Sequence, residues 1–245
     1  MKNNVLVIGE SCVDVFCYGS CDRLAPAAPA PVFVPINEVS NPGMAMNVQR
    51  NLKSLGVSSV IYTNNNWEKV TKTRYVHRDT NQMFLRVDNN DDKISNCTIE
   101  NINPQEYEIV VVSDYNKGFL TREDIQYICN NHSNVFLDTK KKLGDWCANA
   151  KYIKINKKEF IESKDTLPKD IINKLIVTLG EDGCMYKNRK FSVEKVEIKD
   201  VSGAGDTFFA GLISKYLNTK DIFESIKFAN DCATKVVQRK GVSIV

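Results

Sequence analysis

The sequence predicts an α/β fold built on a mainly parallel central sheet. Short apolar runs that end in polar residues or glycine recur along the chain, which is the pattern of strands buried on both faces. They alternate with stretches whose apolar residues are spaced three and four apart, as in amphipathic helices. The 245 residues, 42% of them hydrophobic, are enough for one such domain with a sizeable core.

The first elements run from the N-terminus to Gly56. The run "NVLVIGE" at 4–10 predicts a buried strand that opens the sheet. The prolines of "RLAPAAPAPVFVP" at 23–35 exclude a central strand, so this segment is predicted to be extended or at a sheet edge. A helix is predicted from Gly43 onward, and Gly56 is its expected C-terminal stop. Its apolar face consists of Ala45, Val48, Leu52 and Leu55.

Three further strands are predicted in the N-terminal half. One is "VSSVIY" at 57–62, and two lie within "TRYVHRDTNQMFLRVD" at 73–88, around the polar turn "RDTNQ". We expect the segments 15–37 and 73–88 to form a small β lid on the main domain.

The second half of the chain alternates strand and helix patterns. "YEIVVVSD" at 107–114 reads as a buried strand, and Thr121 with Asp124 predicts a capping box for a helix through Ile125 and Ile128. Further strands are predicted at 134–138, 152–156 and 175–183, and helices at 205–217 and roughly 221–238. The predicted inner face of the last helix comprises Ile222, Ile226, Ala229, Ala233, Val236 and Val237.

Polar residues stand where several predicted strands end. Because ligands bind beyond the carboxyl ends of parallel strands, we expect these residues to share one rim. They are Glu10, Asp14, Asp114, Asp138, Asn156 and Gly180.

Charge and cysteine usage narrow the class of protein. The 33 basic and 30 acidic residues leave a net charge of +3, too balanced for nucleic acid as the main partner but compatible with local phosphate pockets. No apolar run approaches membrane length and the N-terminus turns polar too soon for a signal peptide, which predicts no membrane association and a cytoplasmic location. The eight cysteines and two histidines show no metal-ligand spacing, which predicts reduced thiols; a Cys17–Cys21 disulfide is the alternative.

The stretch "DVSGAGDTFFAGL" at 200–212 carries the clearest chemical signal. Gly203 and Gly205 allow backbone N–H groups to converge at a helix start, where the partial positive charge favours the terminal phosphate of a nucleotide. Asp206 follows in the first turn. A carboxylate beside a phosphate repels it, but it suits a general base that takes the proton of an attacking hydroxyl.

Other glycine-rich motifs fit this stretch less well. A Walker A loop occurs nowhere in the chain, and Phe208 stands where a dinucleotide fingerprint needs its third glycine. A glycine-rich turn in which Asp206 only complements the helix dipole is the structural alternative.

Four segments, in family order, resemble the PfkB (ribokinase-like) carbohydrate kinases. The stretch 200–212 resembles their C-terminal signature, and "PGMAMNVQRNLKSLG" at 42–56 resembles their N-terminal one. "NKKE" at 156–159 is similar to their Asn-x-x-Glu element, and "VTLGEDG" at 177–183 to their nucleotide-side strand exit. The resemblance implies one kinase domain over 1–245 with a three-layer α/β/α ribokinase-like fold and a β lid, and ATP and Mg²⁺ as cofactors.

The resemblance also implies roles for individual residues. Asp206 is the expected base, and the amides around Gly203, Ala204 and Gly205 are expected to stabilise the transferred phosphoryl group. Glu159 is expected to act on Mg²⁺, through water. The residues expected to face the sugar are Asp14, Gly43 and Asn47. The residues expected on the nucleotide side are Asn156, Thr178, Gly180, Gly183 and Asn230.

A narrower resemblance points to the acceptor. "RLAPAAPAPVFVP", "TKTRYVHRDTNQMFLRVD", "SDYNKGFLT" and "FANDCATKVVQRKGVS" are similar to the kinase domain of the bifunctional ADP-heptose synthesis enzymes. This implies transfer to the anomeric hydroxyl of a heptose 7-phosphate. A phosphorylated acceptor needs cations, and Arg86, Lys117 and Lys140 lie in segments that match substrate-side regions.

The chain also departs from the family pattern. Only "TNNNWEKV" stands where the family has a further helix and strand, and Pro42 replaces the first glycine of a Gly-Gly pair. Thr139 and Ile155 replace prolines usual in the heptose kinases. No nucleotidyltransferase-like segment follows, which predicts a compact single-function kinase or a decayed relative.

Two other functions stay open at this point. One is a ribokinase-like kinase of an unphosphorylated sugar or a nucleoside, and the other is a non-catalytic protein that binds a sugar phosphate or a nucleotide. The expected partners are small molecules in each case. The lid strands predict a homodimer, because an exposed strand edge invites pairing.

Overall fold

The computed structural model describes residues 5–245, with Thr166 by its backbone alone. In chain order the strands are β1 (Val5–Gly9), β2 (Ser11–Leu24), β3 (Pro31–Met44), β4 (Ser59–Tyr62), β5 (Thr71–His77), β6 (Met83–Asn89), β7 (Ile109–Asp114), β8 (Val135–Thr139), β9 (Tyr152–Asn156), β10 (Leu175–Thr178), β11 (Cys184–Tyr186) and β12 (Arg189–Phe191). The α-helices are α1 (Ala45–Ser54), α2 (Arg122–Asn131), α3 (Lys157–Ser163), α4 (Lys169–Ile172), α5 (Ala204–Thr219) and α6 (Ile222–Val236).

The central sheet has the strand order β12-β11-β10-β9-β8-β7-β1-β4. The strands from β10 to β4 run parallel, and β11 and β12 add an antiparallel hairpin at one edge. Val5 and Val7 of β1 pack into one apolar core with α1, α5 and α6, whereas Leu6 and Ile8 pack into a second core with α2. Helices therefore cover both faces of the sheet, which confirms the predicted three-layer α/β/α fold.

A second, four-stranded sheet has the order β3-β2-β5-β6 and is the predicted lid. β2 pairs antiparallel with β3 and parallel with β5. The proline-rich segment enters β3, an edge strand, where proline is tolerated because the strand has a neighbour on one side only. The prediction of an extended or edge segment at 23–35 holds for residues 31–35, which begin the edge strand β3, whereas residues 25–30 form the turn between β2 and β3.

The short connection between β4 and β5 is tied to the start of the lid. It contains one 3₁₀ turn, Trp67–Lys69, in place of a helix and strand, so β4 is the last strand of the central sheet. Asn64 is buried, and its Oδ1 accepts a 2.8 Å hydrogen bond from the backbone N–H of Ser11. Asn66 accepts from Asn64 at 2.9 Å. These amide contacts hold the shortened segment against the strand that leads into the lid.

The helix signals were accurate and the shortest elements were missed. Thr121 and Asp124 form the predicted capping box of α2, and Gly56 follows α1 with a φ of 76°. The strand predicted at 175–183 ends at Thr178, and the β11–β12 hairpin was not predicted because each of its strands has only three residues.

All eight cysteines are free thiols. Cys17 and Cys21 both lie in β2, four residues apart. In extended chain that spacing is about 13 Å, far beyond the roughly 7 Å limit between the Cα atoms of a disulfide, so the disulfide alternative is wrong. Within residues 5–245, none of the helices combines the length and apolar character needed to cross a membrane.

Candidate active site

The carboxyl ends of the parallel strands form one edge of the central sheet, and polar residues gather there as predicted. Asp114, Asp138 and Asn156 lie at or next to the ends of β7, β8 and β9, and Glu10 directly follows β1. Asp14 differs from the prediction because it lies inside the lid strand β2 rather than at the exit of a central strand. It reaches the site from the lid, a position that only the paired topology of β2 and β3 creates.

Helix α5 begins directly after a left-handed glycine. Gly203 has a φ of 78° and a ψ of −2°, and no side chain caps the helix, so the first N–H groups of α5 lack intrahelical partners. A Cβ on Gly203 would lie 2.8 Å from Nδ2 of Asn47, and one on Gly205 would lie 3.1 Å from Nζ of Lys154. Glycine at both positions keeps open a space bounded by the helix start, an amide and an ammonium group.

Asp206 occupies the first turn of α5 and is buried. Its Oδ2 accepts a 2.9 Å hydrogen bond from Nδ2 of Asn47, and its Oδ1 accepts one of 2.6 Å from the hydroxyl of Tyr115. Burial raises the pKa of Asp206 from 3.8 to about 6, because desolvation outweighs these two hydrogen bonds and the attraction of Lys154. Such a carboxylate is ionised at neutral pH and basic enough to take a proton.

Lys154 is a cation of this site that the sequence analysis missed. It lies on β9, only 5% of the residue is exposed, and its Nζ is 2.7 Å from Oδ2 of Asp138. Within the described chain, Oδ1 of Asp138 is buried without a hydrogen-bond partner. The signal that indicates Lys154 is a lysine inside the apolar run "YIKIN", because a charge in a strand buried on both faces needs a partner or a function.

Asp14, Gly43 and Asn47 lie together where the lid meets α1. Oδ1 of Asp14 is 2.5 Å from an Nη atom of Arg74. A Cβ on Gly43 would lie 2.1 Å from Oδ2 of Asp14, so any larger residue here would displace the Asp14 carboxylate. Because Asn47 also binds Asp206, the three residues predicted to face the sugar are continuous with the predicted base.

The cations predicted to contact the acceptor are engaged with carboxylates. Arg86 donates to both oxygens of Asp88, at 2.7 and 2.9 Å. Nζ of Lys117 is 2.5 Å from Asp91. Contact of these residues with the acceptor stays a prediction, and it requires each of them to exchange or share its carboxylate partner.

A cavity of about 590 Å³ adjoins the start of α5, within the size range of small-molecule sites. Ala204 and Gly205, which directly precede Asp206, line this cavity. The residues predicted on the nucleotide side all line it: Asn156, Thr178, Gly180, Gly183 and Asn230. Gly183 has a φ of 84°, and a Cβ there would lie 2.0 Å from the carbonyl oxygen of Phe191, so glycine is required.

The Asn-x-x-Glu element is the capping box that begins α3. Oδ1 of Asn156 accepts from the N–H of Glu159 at 2.9 Å, and Oε2 of Glu159 accepts from the N–H of Asn156 at 2.8 Å. Nζ of Lys140 lies between two carboxylates, 2.7 Å from Glu159 and 3.8 Å from Asp138. Burial lowers the pKa of Lys140, but these carboxylates more than offset that effect and raise it above its ordinary value.

Comparison with known protein families decides which family this is. Residues 47–245, well over half of the chain, match the family model described as pfkB family carbohydrate kinase. The chain belongs to the pfkB family of carbohydrate kinases. Its motifs predicted this family, whose members are described as carbohydrate kinases.

Curated relatives resemble the kinase over nearly its whole length. A bifunctional protein HldE from Nitratiruptor sp. is 32% identical over 292 aligned positions, which include 99% of this kinase and 63% of the relative. One from Campylobacter fetus is 31% identical, with coverage of 97% and 63%. The kinase thus spans less than two thirds of the length of these relatives, and the alignments are longer than the kinase itself, in keeping with its shortened form.

Solved structures confirm the ribokinase-like fold. A ribokinase from Thermotoga maritima superposes with a TM-score of 0.72 at 18% identity, covering 98% of this kinase and 94% of that chain. Phosphofructokinase-2 from Escherichia coli, in complex with potassium, gives a TM-score of 0.71 at 14% identity, covering 100% and 95%. At these identities the likeness shows the fold alone.

The kinase offers oxygen ligands that fit Mg²⁺. Glu159 and Asp138 present carboxylates on either side of Lys140, and Oδ1 of Asp138 is the buried oxygen that lacks a hydrogen-bond partner. The described residues contain no cluster of three or more His, Cys, Asp or Glu that could enclose a metal. Two carboxylates suit Mg²⁺, which typically takes one or two protein carboxylates and fills its other positions with water and phosphate oxygens.

Proposed function

We propose that this kinase transfers the γ-phosphoryl group of ATP to the anomeric hydroxyl of a heptose 7-phosphate, with Asp206 as the general base. One observation carries the proposal. A buried carboxylate with a pKa of about 6 stands in the first turn of α5, directly after Gly205, which lines the 590 Å³ cavity, and hydrogen-bonded to Asn47 of the cluster with Asp14 and Gly43.

In the proposed step, the acceptor hydroxyl donates its proton to Asp206 while its oxygen attacks the γ-phosphorus in line. The new O–P bond forms as the bond to the β,γ-bridging oxygen breaks, and ADP leaves. The amides around Gly203, Ala204 and Gly205 donate to the phosphoryl oxygens, for which the N–H of Ala204 gives up its 3.2 Å hydrogen bond to the carbonyl oxygen of Val201. The nearby ammonium of Lys154 opposes the charge on these oxygens. Asp206 later releases its proton to solvent.

Nucleotide and metal are proposed on the opposite side of the α5 start from the acceptor. The γ-phosphate of ATP would bind the backbone N–H groups at the start of α5, with the rest of the nucleotide in the 590 Å³ cavity. Glu159 and Asp138 would hold Mg²⁺, through water for Glu159, because its oxygens already serve the capping box and Lys140. When bound, Mg²⁺ neutralises charge on the phosphates.

The choice of heptose 7-phosphate rests on similarity at the substrate side. Lid and loop segments resemble the kinase domain of ADP-heptose synthesis enzymes, and the curated relatives carry the name bifunctional protein HldE. Two alternatives remain: a ribokinase-like kinase of another sugar or nucleoside, and a binding protein without activity. A binding protein has no use for a buried base between its two sites, which favours the kinase.

We also propose that the kinase is a cytoplasmic homodimer that pairs through its lid. Eight free thiols suit a reducing compartment. The lid strands β3 and β6 carry the exposed apolar side chains of Val34, Ile36 and Leu85, each more than half exposed, and such residues commonly mark an interface. Light scattering on the purified chain, with Leu85→Lys as the test variant, distinguishes a lid dimer from a monomer.

A coupled assay of ADP release over a panel of acceptors tests the proposed function. Release with heptose 7-phosphate supports it. Release with plain sugars or nucleosides alone supports the first alternative, and nucleotide or sugar-phosphate binding without ADP release from any acceptor supports the second.

A further inference from the structure

A second, open cavity of about 420 Å³ lies between the lid and the segment that follows α6. We call it the lid cavity and define it by Phe16, Tyr18, Asn41, Arg78, Lys240 and Val242. Its floor is aromatic, with the rings of Phe16 and Tyr18 stacked 6.2 Å apart. An aromatic floor with polar groups at the margin suits a sugar, whose ring has an apolar face and a polar edge.

Two cations, Arg78 and Lys240, line the lid cavity, and Asp200 lies beside it, where its Oδ2 accepts from the backbone N–H of Gly241 at 3.1 Å. Lys240 donates a 3.0 Å hydrogen bond to the carbonyl oxygen of Arg78, and within residues 5–245 no ion pair involves its ammonium group. Arg78 pairs with Asp79 at 3.2 Å, but both side chains are more than half exposed, so the pair contributes little and is easily exchanged. Among the described residues that line the cavity, none carries a carboxylate.

Arg86 and Lys117, which the sequence predicts as acceptor contacts, are already paired with carboxylates. The guanidinium group of Arg86 donates to both oxygens of Asp88. Lys117 pairs with the largely buried Asp91, which Lys72 also contacts at 2.5 Å. Taking either cation for a ligand leaves a carboxylate short of a partner, and the penalty is larger where the carboxylate is buried. Arg78 and Lys240 can bind an anion without that penalty.

The lid cavity is continuous with the catalytic centre. Asn41, in its wall, is the direct cross-strand partner of Asp14. Val242, in the opposite wall, has a methyl carbon 3.1 Å from the position of a Cβ on Gly203. A molecule whose reacting hydroxyl meets Asp206 and whose ring passes Asp14 therefore has its far end in the lid cavity.

We infer that the phosphate of the acceptor binds Arg78 and Lys240 in the lid cavity. This inference rests on the proposed function and deepens it, because it names the residues that select a phosphorylated sugar over a plain one. Arg78 follows β5 and Lys240 follows α6, so an anion bound by both ties the lid to the main domain. Acceptor phosphate then holds the lid over the base.

The test compares Arg78→Gln and Lys240→Met with matched exposed controls on the main domain, Arg122→Gln and Lys227→Met. Both target side chains are exposed, so the variants are expected to fold. The Michaelis constant for heptose 7-phosphate is expected to rise about tenfold or more in each target variant, the loss typical of one charge-assisted hydrogen bond. The Michaelis constant for ATP is expected to match the wild type in each target variant. Both control variants are expected to match the wild type in both constants.

The outcomes separate the inference from the proposed function. If the wild type phosphorylates heptose 7-phosphate and both target variants match it, the inference is overturned and the function stands. If the wild type does not act on heptose 7-phosphate, the proposed acceptor is wrong, and the panel then includes other sugar phosphates. Loss of their binding in Arg78→Gln and Lys240→Met still supports the subsite, whereas no binding of any sugar phosphate overturns it.

Discussion

The hydroxyl of Tyr115 donates a 2.6 Å hydrogen bond to Oδ1 of Asp206, while Asn47 donates to Oδ2 of the same carboxylate at 2.9 Å. Both oxygens of the proposed base are therefore fixed by neighbours on different elements, the loop after β7 and helix α1. Each oxygen keeps a second lone pair for the acceptor hydroxyl. Two donors to the ionised form hold down a pKa that burial raises.

Tyr115→Phe should raise the pKa of Asp206, because it removes one donor to the ionised carboxylate. The acid limb of the pH profile of kcat should move to higher pH, by up to about one unit, with a smaller effect on kcat at alkaline pH. Tyr62→Phe is the control, since that hydroxyl bonds to the carbonyl oxygen of Thr98 away from the site. An acid limb that does not move in Tyr115→Phe contradicts this role.

Asp206 should make the folded kinase less stable as the pH rises from about 4 to just above 6. Its folded-state pKa of about 6 exceeds the ordinary value of 3.8, so the folded state holds the proton more tightly than the unfolded chain. The free energy of unfolding therefore falls as pH rises through this window, by up to about 3 kcal/mol. In urea unfolding, Asp206→Asn should be more stable than wild type above the window and similar below it; equal stability throughout counts against the raised pKa.

Gly43→Ala should displace Asp14, because the new Cβ would lie 2.1 Å from Oδ2 of that residue. We expect a loss of about 1–3 kcal/mol in the free energy of unfolding. The Michaelis constant for the acceptor should rise relative to wild type by a larger factor than the constant for ATP. Gly144→Ala is the matched control, since the nearest atom to the new Cβ would be a ring carbon of Trp146 at 3.3 Å. Unchanged acceptor kinetics in Gly43→Ala would argue against Asp14 as a sugar contact.

Lys154→Met should cost about 3–5 kcal/mol in the free energy of unfolding, because Asp138 is left buried without its 2.7 Å partner. The double variant Lys154→Met with Asp138→Asn removes both charges and should recover most of that stability. Because Asp138 is also a proposed Mg²⁺ ligand, the reference for kcat is Asp138→Asn alone. If Lys154 opposes charge on the phosphoryl group, kcat is lower in the double variant than in Asp138→Asn. Equal kcat in these two variants would assign Lys154 a structural role only.

The central strands and the principal motif were predictable because their signals are local. Strands such as β1 are buried on both faces and therefore appear as apolar runs in the sequence. The glycine-rich start of α5 consists of consecutive residues, 203–206. The five residues predicted on the nucleotide side came from family motifs, and all five line one cavity.

What the sequence analysis missed depends on contacts between distant segments. Arg78 and Lys240 are 162 positions apart and meet only because the lid folds over the end of α6. Lys154 stands between two isoleucines in β9, and this apolar run predicted a buried strand without indicating that its lysine contributes to the site. The state of Arg86 and Lys117 depends on Asp88 and Asp91, partners that spacing alone does not reveal.

The rate of ADP release by Asp206→Asn, at saturating ATP and acceptor, tests the central claim most directly. The amide that this substitution introduces can accept from Asn47 and donate to the oxygen of Tyr115, so the fold and the affinity for ATP are expected to persist. Turnover should fall by about a hundredfold to ten-thousandfold, the usual contribution of a general base. Turnover close to wild type, in a variant that still binds ATP, would contradict the assignment of Asp206 as the base.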